Sequence, residues 1–299
     1  MRVPFVADLK RNALDDGPGV RTTVFFKGCP LACVWCHNPE TIRATPEIIF
    51  REEHCIACRE CVSTCPHGAT GPSGGGAIDR DRCIRCGACV DTCPGGARER
   101  VGRQYEVDEL LALLLRDELL FTNSGGGVTL SGGEPTLCTK YVGALARKLH
   151  ERGIHVLVES CGWFDASRFD DLLRPWIDTI YVDLKLLDPV AHERFCGRSN
   201  APILANLERL LSRSQPEVLV RVPLVPTITA TRENLTAIAA WLRARGAARV
   251  WLLPYNPLWQ PKARGVGADV RFTYRGFLTE ADRQIARETF ADFSILGLD

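Results

Sequence analysis

The sequence predicts an α/β fold, a parallel sheet of strand–helix units carrying a small cysteine-rich insert. Three observations predict it. Strand candidates rich in β-branched and aromatic residues recur six times, with helix candidates between them. Two cysteine runs repeat one another inside residues 50–100, and a third cysteine group directly follows the first strand candidate. The 299 residues and 45% hydrophobic content suffice for a large core.

The first strand candidate is VRTTVFFK (20–27), ended by Gly28, so the cysteines after it sit in a strand-end loop. Residues 50–100 form the insert, with a Gly-rich turn and a short strand in HGATGPSGGGAIDRD between its cysteine runs. ELLALLLRDELLF, broken by Arg116, Asp117 and Glu118, reads as one amphipathic helix. GVTLS (127–131) precedes a helix near 137–151, and IHVLVES (154–160) one near 165–174. TIYVDLK (179–185) precedes a helix near 188–195, and EVLVRVPLV (217–225) one near 231–245. RVWLLPY (249–255) closes the series, and a further helix is expected near 279–291. The sheet and its helices take residues 1–49 and 101–299, and the insert takes 50–100. An open doubly wound sheet would give the same pattern of elements.

A formal net charge of +1 gives no footing for a nucleic-acid or membrane partner. The five-residue apolar patch in MRVPFVADLKRN is too short for the core of a signal peptide. No apolar run approaches the ~18 residues of a membrane span. The expectation is a soluble, cytoplasmic protein. Fourteen cysteines in that reducing compartment point to metal rather than disulfides.

Residues 55–66 read CIACRECVSTCP and residues 83–94 read CIRCGACVDTCP, both C-x2-C-x2-C-x3-C-P at an offset of 28. This is the bacterial ferredoxin run, in which three close thiolates hold one cubane and the cysteine before proline serves the other. Cys55, Cys58, Cys61 and Cys93 would then hold one [4Fe-4S] cluster, and Cys83, Cys86, Cys89 and Cys65 a second. Zinc ribbons usually present two C-x2-C pairs, not two quartets ending in Cys-Pro. Cys138, Cys161 and Cys196 stand alone and read as small packing residues.

The remaining trio, Cys29, Cys33 and Cys36, has the spacing C-x3-C-x2-C. A cubane on three thiolates leaves one iron open, and an open position is what separates a catalytic metal site from a structural one. In α/β barrels chemistry collects at the C-terminal strand ends. Those ends carry the cysteine loop, SGGEP (131–135), Glu159 and Ser160, Asp183 and Lys185, Arg221, and Tyr255 and Asn256. Gly132 and Gly133 would let a ligand approach the backbone. Glu134 can accept from an ammonium group, Asp183 from hydroxyls or an ammonium group, and Lys185 can pair with a carboxylate. Trp35 offers a flat apolar face, or is a core residue.

The trio resembles the signature of the radical SAM superfamily, and the six units resemble its partial (β/α)6 barrel. That resemblance implies that S-adenosylmethionine chelates the open iron and is cleaved reductively to a 5'-deoxyadenosyl radical. DDGPGVRTTVFFKGCPLACVWCHNPE, GGGVTLSGGEP, VDLK and LLPYNPL together resemble the glycyl radical enzyme activating enzymes, over residues 16 to about 256. The ferredoxin-like insert, with its two further clusters, is similar to that of several activase types. The resemblance implies that Trp35 and His37 line the adenosine, and that Gly132, Gly133 and Glu134 hold the methionine end. It implies that Asp183 and Lys185 contact S-adenosylmethionine with Arg221 nearby. It places Glu159 and Ser160 near a monovalent cation and the methionine. LLPYN departs from the family's LLPYH: Asn256 donates and accepts hydrogen bonds but carries no charge. The implied partners are a glycyl radical enzyme as substrate and flavodoxin or ferredoxin as electron donor.

Two other functions fit parts of the sequence. A radical SAM enzyme acting on a small molecule or peptide would share the barrel and the trio. A ferredoxin-type electron carrier would need only the insert, and leaves the third cysteine group without a role.

Overall fold

The computed structural model describes residues 1–71 and 77–298. Its strands are β1 (Phe5–Ala13), β2 (Arg21–Phe26), β3 (Glu47–Phe50), β4 (Arg98–Val101), β5 (Arg103–Gln104) and β6 (Gly127–Gly132). They continue as β7 (His155–Ser160), β8 (Thr179–Asp183), β9 (Glu217–Leu224), β10 (Arg249–Pro254) and β11 (Ser294–Leu296). The helices are α1 (Glu60–Thr64), α2 (Ala88–Asp91), α3 (Val107–Leu114), α4 (Glu118–Ser124), α5 (Thr139–His150) and α6 (Ala166–Leu172). Then come α7 (Pro189–Cys196), α8 (Ala201–Leu211), α9 (Arg232–Arg243), α10 (Trp259–Gly265) and α11 (Glu280–Thr289).

Nine strands form one sheet in the order β11-β10-β9-β8-β7-β6-β2-β1-β5. The six expected strands, β2 and β6 to β10, run parallel in chain order, and β11 extends them by a seventh. A doubly wound sheet reverses its strand order at a switch point. Here the parallel strands never reverse, so the winding is that of a barrel left open between β5 and β11.

Alternation along each strand sorts the side chains. Val24, Phe26, Val128, Leu130, Val156, Val158, Ile180, Val182, Val220, Val222, Val250 and Leu252 enter the core beneath the helices. Each such side chain buried contributes about 1.5–3 kcal/mol. The alternate residues face the other way in three tiers. Arg21, Thr129 and His155 lie at the strand starts, with Arg21 Nε donating to Thr129 Oγ1 at 2.7 Å. Leu157, Tyr181, Leu219 and Trp251 pack together in the middle. Ser131, Glu159, Asp183 and Arg221 stand above them at the strand ends.

Three features differ from expectation. MRVPFVADLKRN contributes β1, which pairs antiparallel with β2 and lines its outer side. ELLALLLRDELLF is two helices, α3 and α4, joined by a 3-10 turn at Leu115–Asp117. The cause is Asp117, which turns inward to accept from Arg11 Nε at 2.8 Å and Thr22 Oγ1 at 2.7 Å. APILANLERLL forms α8, whose Ile203, Leu207 and Leu210 are buried.

The insert stands on a two-stranded stem in which Glu47–Phe50 pairs antiparallel with Arg98–Val101, so position 50 ends the first stem strand and position 100 lies inside the second. Its two halves share one backbone course at the offset of 28. Ala57 and Arg85 are left-handed, as are Arg59 and Gly87, and Gly68 and Gly96. Of the expected Gly-rich turn, residues 72–76 lie outside the described residues. The short strand after it is a single bridge, Thr70 to Ile78.

The C-terminal stretch covers one edge of the barrel. Phe290 and Phe293 join the main core, β11 lengthens the sheet, and Trp259 of α10 packs with Trp35 and Tyr255. No helix among the described residues is long and apolar enough to cross a membrane.

Candidate active site

The loop after β2 is closed by its own backbone. Gly28 N donates to Thr41 O at 2.7 Å and Cys29 N to Ile42 O at 3.0 Å. Its outer limb rests on the end of α7, where Ala32 N donates to Cys196 O at 2.9 Å and Val34 N to Phe195 O at 3.0 Å. The SGGEP turn closes the inner side: Gly133 N donates to Phe26 O at 2.8 Å and Glu134 N to Gly28 O at 2.7 Å.

Cys29, Cys33 and Cys36 line one cavity of about 390 Å³ at the strand ends. Among the described residues no three His, Cys, Asp or Glu side chains share a position that would hold a single metal ion. Three thiols lining one cavity suit a cubane, whose irons sit at separate corners. The same cavity is lined by Trp35, His37, Gly132, Gly133, Glu159, Ser160, Asp183, Lys185, Arg221 and Asn256. Of the residues expected at this site only Glu134 is missing from its wall.

Glu134 lies behind that wall. Its carboxylate is buried and accepts from Thr136 N at 3.1 Å, Thr136 Oγ1 at 2.6 Å, Ser160 Oγ at 3.1 Å and Cys161 N at 2.7 Å. It ties the turn after β6 to the end of β7 and has no face toward a ligand. The two glycines also have a second reason to lack a Cβ. One at Gly132 would lie 2.3 Å from Phe26 backbone atoms, and one at Gly133 would lie 2.3 Å from Gly28 O.

The floor of the cavity is a row of four charged groups. Lys185 Nζ lies 3.0 Å from Asp183 Oδ2, and Arg221 Nε donates to Asp183 Oδ1 at 2.8 Å. Arg221 Nη1 pairs with Glu159 Oε1, and Ser131 Oγ donates to Glu159 Oε2 at 2.6 Å. Burial alone would raise the Asp183 carboxyl, but Arg221 and Lys185 outweigh it and hold it at about 2. Burial opposes the Lys185 charge, and Asp183 with the nearby thiols overrides it and raises the ammonium. Glu159 moves up, because its burial outweighs Arg221. The row meets its own charges without a monovalent cation. Each oxygen of Glu159 and Asp183 already has a protein donor, and Ser160 Oγ is spent between Glu134 and Gly162 N.

The opposite wall is aromatic and uncharged. Trp35 is buried with Tyr255 and Trp259, and His37 meets Tyr255 edge-on at 6.1 Å. Burial lowers His37 to about 4, so its ring is neutral near pH 7. Tyr255 donates to Tyr274 O at 3.0 Å, which pins the C-terminal strap behind it. Asn256 accepts from Leu258 N at 3.2 Å, so one polar atom expected to meet a ligand caps its own turn.

Cys161 and Cys196 pack as expected but in a more telling place. Cys161 touches Cys29 and lines the cavity, and Cys196 is buried against Cys33. The contact with Cys29, followed by burial, holds the Cys161 thiol well up; the contact with Cys33 does the same for Cys196. Both remain protonated neighbours of the trio. Sequence reasoning had one available signal, the position of Cys161 directly after Glu159 and Ser160 at a strand end.

In the insert, Cys65, Cys83, Cys86 and Cys89 line one small cavity of about 20 Å³. These are the four residues that the spacing groups together. Cys55, Cys58, Cys61 and Cys93 lie in the matching half, where Cys55 and Cys58 are exposed.

Residues 23–237 match the model of the radical SAM superfamily. The chain is 39% identical over 284 residues to the benzylsuccinate synthase activating enzyme of Thauera aromatica, covering 92% of this chain and 86% of that one. It is 38% identical over 263 residues to the trans-4-hydroxy-L-proline dehydratase activating enzyme of Clostridioides difficile, covering 87% and 86%. Among solved structures, a radical SAM methyltransferase from Sphaerobacter thermophilus shares the fold, with a TM-score of 0.53 over 99% of this chain and 77% of that one at 14% identity.

Proposed function

This chain belongs to the radical SAM superfamily and, within it, to the activating enzymes of glycyl radical enzymes, and from that premise we propose that its substrate is a glycine of a partner glycyl radical enzyme. The observation that carries the reading is one cavity uniting three thiols with the charged row of Lys185, Asp183, Arg221 and Glu159. When bound, a [4Fe-4S] cluster and S-adenosylmethionine supply a reductive cleavage whose carbon radical takes a hydrogen atom from that glycine.

Cys29, Cys33 and Cys36 would hold three irons and leave the fourth to the amino and carboxylate groups of S-adenosylmethionine. Lys185 presents a positive charge for the carboxylate and Asp183 a negative one for the ammonium. Trp35 and His37 give the adenine an uncharged wall, with Asn256 at its edge. Gly132 and Gly133 keep the methionine side open to the backbone. Leu157, Tyr181, Leu219 and Trp251 seal the barrel below the site and exclude water from that side.

In the insert, Cys55, Cys58, Cys61 and Cys93 would hold a second [4Fe-4S] cluster and Cys83, Cys86, Cys89 and Cys65 a third. The repeated backbone and the small cavity support this pairing. Flavodoxin or ferredoxin would supply electrons. The insert is joined to the cluster loop through Lys27 and Glu47, a position suited to a relay or a docking face. A reducing, cytoplasmic setting suits fourteen free thiols.

The test is anaerobic reconstitution, reduction and assay of 5'-deoxyadenosine and methionine. Cleavage is expected from the wild type and not from Cys33→Ala. No cleavage by protein carrying about twelve irons for three cubanes would overturn the reading.

A further inference from the structure

At the floor of the cavity the place between two carboxylates is already filled. Glu159 on β7 and Asp183 on β8 are both held by Arg221 on β9, and Asp183 and Arg221 are register partners in the parallel ladder. The guanidinium lies across three adjacent strands, with its carbon 5.6 Å from the centre of the Tyr181 ring beneath it. Ser160, the hydroxyl that the family resemblance would lend to an alkali ion, donates to Glu134 and accepts from Gly162 N at 2.9 Å.

We propose that Arg221 is the built-in cation of this site, standing in place of a bound alkali ion, so that S-adenosylmethionine binds with no requirement for Na⁺ or K⁺. The pairing supports it: Arg221 meets a carboxylate on each side, and Lys185 meets the second oxygen of Asp183. A guanidinium suits the position because it is permanently charged and its planar fork spans two carboxylates. Its chain also fixes the charge to β9, where a bound ion would exchange with solvent. The inference rests on S-adenosylmethionine being the ligand, as proposed above.

The test uses reconstituted, reduced holoprotein and a titration of S-adenosylmethionine, read from the change in the cluster's EPR signal. It is run in potassium, sodium and tetramethylammonium chloride at equal ionic strength. The expected result is an apparent Kd in the wild type constant within about twofold across the three salts, a difference well below the 1.4 kcal/mol of a tenfold change. Arg221→Gln is expected to bind about tenfold or more weakly in tetramethylammonium and to recover in potassium. A wild type that needs potassium or sodium overturns the proposal, as does an Arg221→Gln variant indifferent to salt. If that variant fails to fold, the wild-type comparison decides alone. Absence of binding in every salt, from protein with its full iron, would instead remove S-adenosylmethionine as the ligand, and this inference with it.

Discussion

Lys27 Nζ lies 3.1 Å from Glu47 Oε2, and both side chains are buried. Lys27 directly follows the strand that leads into the cluster loop, and Glu47 begins the first stem strand of the insert. The same ammonium also pairs with Glu40 O. One ion pair therefore joins the two cysteine-bearing parts of the chain. Arg80 adds a second tie, donating to Ile48 O at 2.6 Å and Gly265 O at 2.8 Å.

Glu47→Gln leaves the Lys27 charge buried without its partner. Removing one partner of a buried pair costs about 3–5 kcal/mol. Denaturant unfolding of the anaerobic protein is expected to show a loss of that order. The double variant Lys27→Met with Glu47→Leu should recover much of it. An unchanged midpoint in Glu47→Gln would show that the pair contributes nothing to the join.

Gly133→Ala should damage the site more than the fold. The added Cβ would meet Gly28 O at 2.3 Å and Thr41 O at 2.7 Å, backbone atoms that close the cluster loop. Overpacking of this kind costs about 1–3 kcal/mol. Displacement of a reacting group by ~1 Å costs about 10²-fold in rate. S-adenosylmethionine cleavage is expected to fall by that order while the insert keeps its iron. Wild-type cleavage by Gly133→Ala would contradict the packing described here.

Iron content separates the three cysteine groups. The triple variant Cys29→Ala, Cys33→Ala, Cys36→Ala is expected to hold about eight irons, against about twelve in the wild type. Cys65→Ala should disturb the cluster of Cys83, Cys86 and Cys89, whose cavity it shares, rather than that of its own run. Resonance Raman or Mössbauer spectra that showed Cys65→Ala perturbing the other insert cluster would reverse the pairing.

His155 makes the fold sensitive to acid. Its Nδ1 lies 3.2 Å from Arg21 Nη2, and its Nε2 lies 3.3 Å from Thr179 Oγ1. Burial first, then the Arg21 charge, lowers its pKa, while Asp178 and Glu217 act the other way. A histidine lowered on folding stays neutral in the native chain after the unfolded chain has taken a proton. Its stabilisation is complete above the unfolded value of ~6.5 and is lost as pH falls toward the folded one. Denaturation midpoints measured between about pH 7.5 and 5.5 should fall in the wild type and fall less in His155→Gln. Equal slopes would place the acid sensitivity elsewhere.

What the sequence made legible was local in character. Ligand spacing in Cys29, Cys33 and Cys36 and in the two insert runs is a short-range pattern, so it survives without a structure. The six parallel strands were legible because Val, Ile and Leu alternate with the residues that face the cavity. Asp183 and Arg221 could each be placed at a strand end, but their pairing depends on the register of β8 and β9. Lys27 and Glu47 meet only through the fold, and so do Cys161 with Cys29 and Cys196 with Cys33. Arg21 sat unnoticed in an apolar strand, although it is fully buried and hydrogen-bonded to Thr129, Val128 and Pro18. Glu134 looked like a ligand because it follows the two glycines of SGGEP, yet the chain's own donors take its carboxylate. The helix α8 did carry a signal, Ile203, Leu207 and Leu210 at helical spacing after Asn200.

The most direct measurement is EPR of a glycyl radical enzyme incubated anaerobically with the reduced, reconstituted chain and S-adenosylmethionine. The partners to try first are glycyl radical enzymes of the kinds that the related activating enzymes serve. The expected result is a glycyl doublet on the partner, formed with one 5'-deoxyadenosine per radical and absent with Cys33→Ala. Deoxyadenosine released with no radical on any such partner would contradict activation of a glycyl radical enzyme and point to a small-molecule or peptide substrate.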